Sequence, residues 1–129
     1  VDAGTTVNLN ALAFAGSGNL TNLGSLSGNA VTLGGALFND GYAALNGGAI
    51  NGGLTNTGTL DVSGNLTLGG ASATLAGGSI NLGNGATLTK NAGTLYWSGG
   101  TFGGSGTLAY VNGGNAALSI EFKCADAAE

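Results

Sequence analysis

The chain has 129 residues, the length of one domain, with 28 glycines, no proline and one cysteine. Charged residues make up only 6% of it, against about 25% in ordinary globular domains. Its formal charge of −4, with two lysines, leaves no basic patch and argues against nucleic acid or an anionic membrane surface as partner.

The first predicted element is the segment TTVNLNALAF at residues 5–14, which alternates apolar and polar side chains as a strand does. Nothing in this segment looks like a polar cap, so we expect an open strand edge here. Edge strands without protection recruit further strands. The candidate assembly edge at this end of the chain consists of Val7, Leu9 and Leu12.

From residue 12 onward, large apolar residues recur at intervals of roughly 21 residues, which is typical of repeat proteins. Three lanes share this period and predict the core. The first lane is Leu12, Leu33, Leu54, Leu75 and Leu95; the second is Phe38, Leu60, Ile80 and Phe102; the third is Leu26, Leu45, Leu66, Leu88 and Leu108.

Short alternating segments such as TLDVS at residues 59–63 predict strands, and the GG, NG and SG pairs between them predict sharp bends. Three strands and three bends per repeat describe one coil of a parallel β-solenoid. We therefore predict an all-β fold: a single parallel β-solenoid over residues 1–122, with about six three-sided coils of roughly 21 residues. Residues 123–129 are predicted to be a charged C-terminal tail or cap.

The segments LTNTGTLDVSGNLTLGG (residues 54–70) and LYWSGGTFGGSGTL (residues 95–108) resemble the repeats of filamentous-haemagglutinin-like and autotransporter-passenger β-helices. Those repeats build the secreted rods of bacterial surface adhesins. The resemblance implies an exported bacterial protein that acts outside the cell or on its surface.

The run from Gly104 to Ala109 fits the G-x-G-x-x-A pattern of a dinucleotide-binding turn. Such a turn must open a helix, whereas the residues after Gly106 alternate like a strand. We therefore expect an ordinary bend and no cofactor. In the preceding strand, Trp97 shares the inward side with Leu95, and Tyr96 points outward.

Catalysis is not expected, because the chain has no histidine and so no Ser-His or Cys-His nucleophile pair. Asp40 and Asp61 are one predicted coil apart, but we interpret them as surface aspartates rather than a pair of catalytic carboxylates. No calcium-binding glycine-aspartate repeat occurs, so the sequence predicts no metal site.

Two classes of function remain open. One is a structural rod or fibre subunit whose end coils pair head to tail between copies, through Val7, Leu9 and Leu12 at one end and Leu118, Ile120 and Phe122 at the other. The other is a module that binds ice or a host glycan with a flat outer face. The T-x-T motifs at residues 55–57 and 87–89 and the outward Tyr96 are its candidate residues. Cys124 follows the alternation of Phe122 and is interpreted as a core thiol.

Overall fold

The computed structural model describes residues 1–70, 72–91 and 93–110, with Tyr110 described by its backbone alone. These residues form strands and no helix, so none of them belongs to a helix that could cross a membrane. The strands are β1 (Thr6–Asn10), β2 (Ala13–Phe14), β3 (Leu20–Asn22), β4 (Ser25–Leu33), β5 (Leu37–Asn39), β6 (Tyr42–Ile50), β7 (Leu54–Asn56), β8 (Thr59–Leu68), β9 (Ser72–Leu75), β10 (Ser79–Leu82), β11 (Thr87–Lys90), β12 (Thr94–Trp97), β13 (Thr101–Gly104) and β14 (Thr107–Tyr110).

Each strand pairs in parallel with the equivalent strand of the neighbouring turn, and the chain makes about five turns. The prediction of a single parallel β-solenoid is confirmed, with about five turns in place of six. We number three faces. The first face contains β1, the first halves of the long strands β4, β6 and β8, and then β10 and β13. The second face contains β2, the second halves of the same long strands, and then β11 and β14. The third face contains β3, β5, β7, β9 and β12.

The long strands cross from the first face to the second at a corner that needs special backbone geometry. Gly48 of β6 has a φ of 112°, and a Cβ placed on it would lie 2.0 Å from the carbonyl oxygen of Val31 in the turn below. An L-residue with a side chain tolerates neither condition. Glycine is therefore required at position 48, where β6 lies against the Val31 carbonyl of β4.

Inward side chains stack in columns, with one residue contributed by each turn, and fill a narrow apolar core. On the first face, one column runs through Val7, Leu26, Ala43, Leu60, Ile80 and Phe102. On the third face, one column runs through Leu20, Leu37, Leu54, Ala73 and Leu95.

A second inward column of the third face is polar in the turns nearest the N-terminus. Asn22, Asn39 and Asn56 stack in register and are fully buried. The amide of Asn22 donates to Oδ1 of Asn39 at 2.8 Å, and the amide of Asn39 donates to Oδ1 of Asn56 at 2.7 Å. Each amide also donates to a backbone carbonyl, of Tyr42, Thr59 and Ser79 respectively. This asparagine ladder satisfies its buried polar groups and ends where Leu75 occupies the next position.

The number of residues per turn varies more widely than the predicted period of roughly 21 residues. Leu20, Leu37 and Leu54 are successive members of one column at intervals of 17 residues, whereas Leu66 pairs with Leu88 at an interval of 22. The additional residues lie in the corners, which accept different lengths without disturbing strand pairing. The spacing between equivalent side chains therefore changes along the rod.

The first predicted lane is not a column for this reason. Leu33 pairs with Phe14 and Ile50, while Leu75 pairs with Asn56 and Trp97. Most of the predicted lane residues are nevertheless buried or partly buried. Leu26, Leu33, Leu45, Leu54, Leu60, Leu66, Leu75, Ile80, Leu88 and Leu95 are buried, and Phe102 and Leu108 are partly buried against the core.

Two lane residues are exposed. Leu12 lies between β1 and β2, and Phe38 lies on the outside of β5 with 37% of its surface exposed. Leu37 and Asn39 take the inward positions of that strand, so alternation directs Phe38 outward. Ala43 fills the place beneath Leu60 that the second lane assigned to Phe38.

Candidate functional site

A polar cluster on the outside of the first face joins three successive turns. The hydroxyl of Tyr42 donates to Oδ2 of Asp61, and the amide of Asn81 donates to Oδ1 of Asp61, each at 2.8 Å. Tyr42 is on β6, Asp61 on β8 and Asn81 on β10. The hydrogen bond to the Asp61 carboxylate raises the pKa of Tyr42, because the bond requires the phenol to keep its proton.

Asp40 does not join this cluster. It follows β5 at the corner that leads to the first face, where it accepts a hydrogen bond from the Thr57 hydroxyl. The residue that pairs with Asp61 in the turn below is Ala44. The 21-residue separation of the two aspartates therefore does not align them.

The outward column of the third face combines aromatic and hydroxyl side chains. It runs through Thr21, Phe38, Thr55, Thr74 and Tyr96. Tyr96 is 50% exposed, as its alternation with Leu95 predicts. Since Phe38 lies in the same column, this face carries two exposed rings where the sequence predicted one.

The two T-x-T motifs lie on different faces. Thr55 and Thr57 are at β7 and the corner beyond it, on the third face, whereas Thr87 and Thr89 are on β11 of the second face. Ice-binding surfaces need regularly repeated hydroxyls on one plane. The two predicted motifs do not combine into such a plane.

Lys90 is a buried cation that sequence reasoning did not place in the core. Lys90 pairs with Leu68 of the neighbouring turn in the inner column of the second face, and it is fully buried. Its Nζ donates to the carbonyl oxygens of Gly69 at 3.3 Å and Gly70 at 3.0 Å. Burial lowers the pKa of the Lys90 ammonium, because the charged form loses hydration. Its position at the end of an alternating segment was the signal for an inward side chain.

The glycine motif at residues 104–109 is not a phosphate-binding turn. Gly104 ends β13 and Thr107 begins β14, so the motif is followed by a strand. In the turn below, Trp97 is partly buried and packs against Phe102 with ring centroids 6.0 Å apart. The aromatic cluster thus serves mainly as packing, apart from Tyr96.

The N-terminal end of the solenoid presents strand edges. Within the described residues, β1 and β2 pair only with β4, and the outer edge of β3 meets only Val1. Val7 and Leu9 are partly buried in β1, and Leu12, Phe14 and Leu23 are exposed beside them. Backbone edges and apolar side chains therefore coincide at this end.

The other end of the described chain has an apolar interior as well. A cavity of about 210 Å³ is bounded by Leu95, Trp97, Phe102 and Leu108, among others. The predicted edge residues Leu118, Ile120 and Phe122, together with Cys124 and the tail at 123–129, lie outside the described residues.

Residues 1–70, 72–91 and 93–110 contain no group of three His, Cys, Asp or Glu side chains arranged to hold a metal ion. No protein-family model matches the chain. Comparison with curated proteins and with solved structures finds no match either.

Proposed function

We propose that this protein is a non-catalytic structural element of an extracellular or cell-surface fibre, built by pairing end coils of successive copies head to tail. The observation that supports the proposal is the N-terminal end, where one-sided strands and exposed apolar side chains occur together. Unpaired backbone groups and apolar surface are the two features that promote addition of another strand.

The interior supports the same proposal. The columns of the core are continuous over successive turns and consist of Leu, Ile, Val and Ala in most positions. A second copy that continued these columns would bury Val7, Leu9 and Phe14 and complete the pairing of β1 and β2. Such an interface is heterologous, and repeating it gives an open filament rather than a closed ring.

The resemblance of residues 54–70 and 95–108 to adhesin repeats supports a bacterial surface location. An adhesin rod depends on its length and rigidity more than on a catalytic site. The outer columns consist largely of uncharged residues, with no two charged residues paired in successive turns of the described strands. This suits stacking at about 4.8 Å, because like charges at that spacing would repel one another.

Negative-stain electron microscopy over a concentration series, with light scattering on the same samples, tests the proposal. We expect thin uniform fibres from the wild-type chain. Phe14→Glu should abolish them or raise the concentration needed by more than tenfold, because it places a charge at the edge. Phe38→Glu is the matched control, since Phe38 is also an exposed ring (37% exposed, against 45% for Phe14) but lies on β5, which pairs with a strand on each side. Monodisperse particles at every concentration, or equal effects of both variants, would refute head-to-tail assembly.

A further inference from the structure

Asp61 and Asn81 of the polar cluster line a shallow depression on the outside of the first face, and Tyr42 lies next to it through its hydrogen bond to Asp61. The depression has a volume of about 380 Å³, and its lining includes Ala44, Ser63 and Gly83 besides Asp61 and Asn81. This size falls at the lower end of the range for small-molecule sites. It is unrelated to the strand edges on which the fibre proposal rests.

Small residues lie on both sides of the Asp61 and Asn81 pair. Asp61 and Asn81 are neighbours in one outward column, with Ala44 in the turn below Asp61 and Gly103 in the turn above Asn81. A Cβ on Gly103 would meet no atom within 4 Å, so the space above Asn81 is open. The Asp61 and Asn81 side chains therefore project from the face between two smaller residues.

The donors to Asp61 hold its carboxylate in one orientation. Each oxygen receives one hydrogen bond from a neutral group, and a carboxylate oxygen can accept about two. Each oxygen thus keeps acceptor capacity for a ligand. Asn81 adds an amide carbonyl, and the exposed Ser63 adds a hydroxyl at the rim.

The charge of the site selects the ligand class. Lys90 is the only cationic side chain among the described residues, and it lies inside the second face. The negative Asp61 carboxylate and the chain charge of −4 repel an anionic ligand. A neutral ligand that donates hydroxyl protons to Asp61 and offers an apolar surface to the Tyr42 ring, 42% exposed, matches the groups present.

From this arrangement we infer that the first-face depression binds a neutral saccharide unit. Two adjacent hydroxyls of the sugar donate to the Asp61 carboxylate and to the carbonyl oxygen of Asn81, and the Tyr42 ring covers part of the sugar's apolar side. This gives the rod a ligand-binding surface on its side, in addition to the proposed interfaces at its ends.

Titration of the ¹⁵N-labelled full chain with methyl glycosides of galactose, glucose, mannose and N-acetylglucosamine, followed by NMR, tests the inference. We expect at least one of them to bind with millimolar affinity, shifting backbone amides around residues 42–44, 61–63 and 81–83. Asp61→Asn should weaken binding by about 10- to 100-fold, because hydrogen bonds to charged groups are the stronger kind. Tyr42→Phe should weaken it less, because the ring is retained.

Asp40→Asn is the matched control, since Asp40 is also a surface aspartate that accepts a side-chain hydroxyl, and it should leave binding unchanged. No shift with any of the four glycosides, or equal binding by wild type and Asp61→Asn, would overturn the inference. So would Ca²⁺-induced shifts at Asp61 in place of glycoside binding, which would assign the depression to a cation. Electron microscopy of Asp61→Asn separates the two proposals, because fibre assembly does not depend on this site.

Discussion

Replacing Asn39 by leucine should destabilise the fold strongly, because Asn39 is the central residue of the asparagine ladder. It accepts a hydrogen bond from Asn22 at 2.8 Å and donates to Asn56 at 2.7 Å and to the Thr59 carbonyl at 2.8 Å. Size is not the difficulty, since Leu75 occupies the equivalent position two turns above.

The magnitude follows from the lost hydrogen bonds. Each contributes about 1 kcal/mol net, and a buried acceptor left without a donor costs about 1 to 3 kcal/mol. Asn56 Oδ1 is such an acceptor in Asn39→Leu, while the Asn22 amide keeps its bond to the Tyr42 carbonyl. Burial of the leucine offsets part of the loss, at about 25 cal/mol per Å². We expect the free energy of unfolding to fall by about 2 to 4 kcal/mol.

Urea unfolding followed by circular dichroism measures this change by linear extrapolation. The double variant Asn39→Leu with Asn56→Leu should lose less than the two single variants added together, because it removes the acceptor that Asn39→Leu leaves unsatisfied. Asn29→Leu, at an exposed position in β4, should stay within about 0.5 kcal/mol of wild type. A cost below about 0.5 kcal/mol for Asn39→Leu, or additive single and double variants, would refute the reasoning.

Two further predictions follow from the corner and from the polar cluster. Gly48→Ala should lower the free energy of unfolding by about 2 to 4 kcal/mol, because its φ is 112° and the added Cβ would lie 2.0 Å from the Val31 carbonyl oxygen. Gly103→Ala is the control and should be nearly neutral, since a Cβ at that position lies in open space. Similar urea midpoints for the two variants would count against the clash. Ultraviolet titration should show the pKa of Tyr42 above 10.0, returning toward 10.0 in Asp61→Asn. The stability contributed by the Tyr42–Asp61 hydrogen bond is present below pH 10.0 and is lost as the pH rises through the raised pKa of Tyr42 in the folded state. An unchanged Tyr42 titration in Asp61→Asn would show that the carboxylate does not cause the raised pKa.

Local alternation and glycine pairs were sufficient to predict the fold. Segments such as residues 59–63 specify a strand with Leu60 and Val62 inward, and both are buried. Neutral outer residues and the absence of proline also follow from stacking parallel strands, since nearly every backbone N–H is needed by a neighbouring turn. The strand pattern and the inward or outward direction of each side chain depend on neighbours within a few residues, so the sequence by itself determined them.

Register was decided only by the tertiary structure. The corners vary in length, so Leu20 and Leu37 are 17 residues apart while Leu66 and Leu88 are 22 apart, and a single period cannot predict which side chains meet. For the same reason the sequence did not reveal that Tyr42, Asp61 and Asn81 converge on one outer face. Contacts between turns depend on the total chain length between equivalent positions, and only the stacking of complete turns determines that alignment.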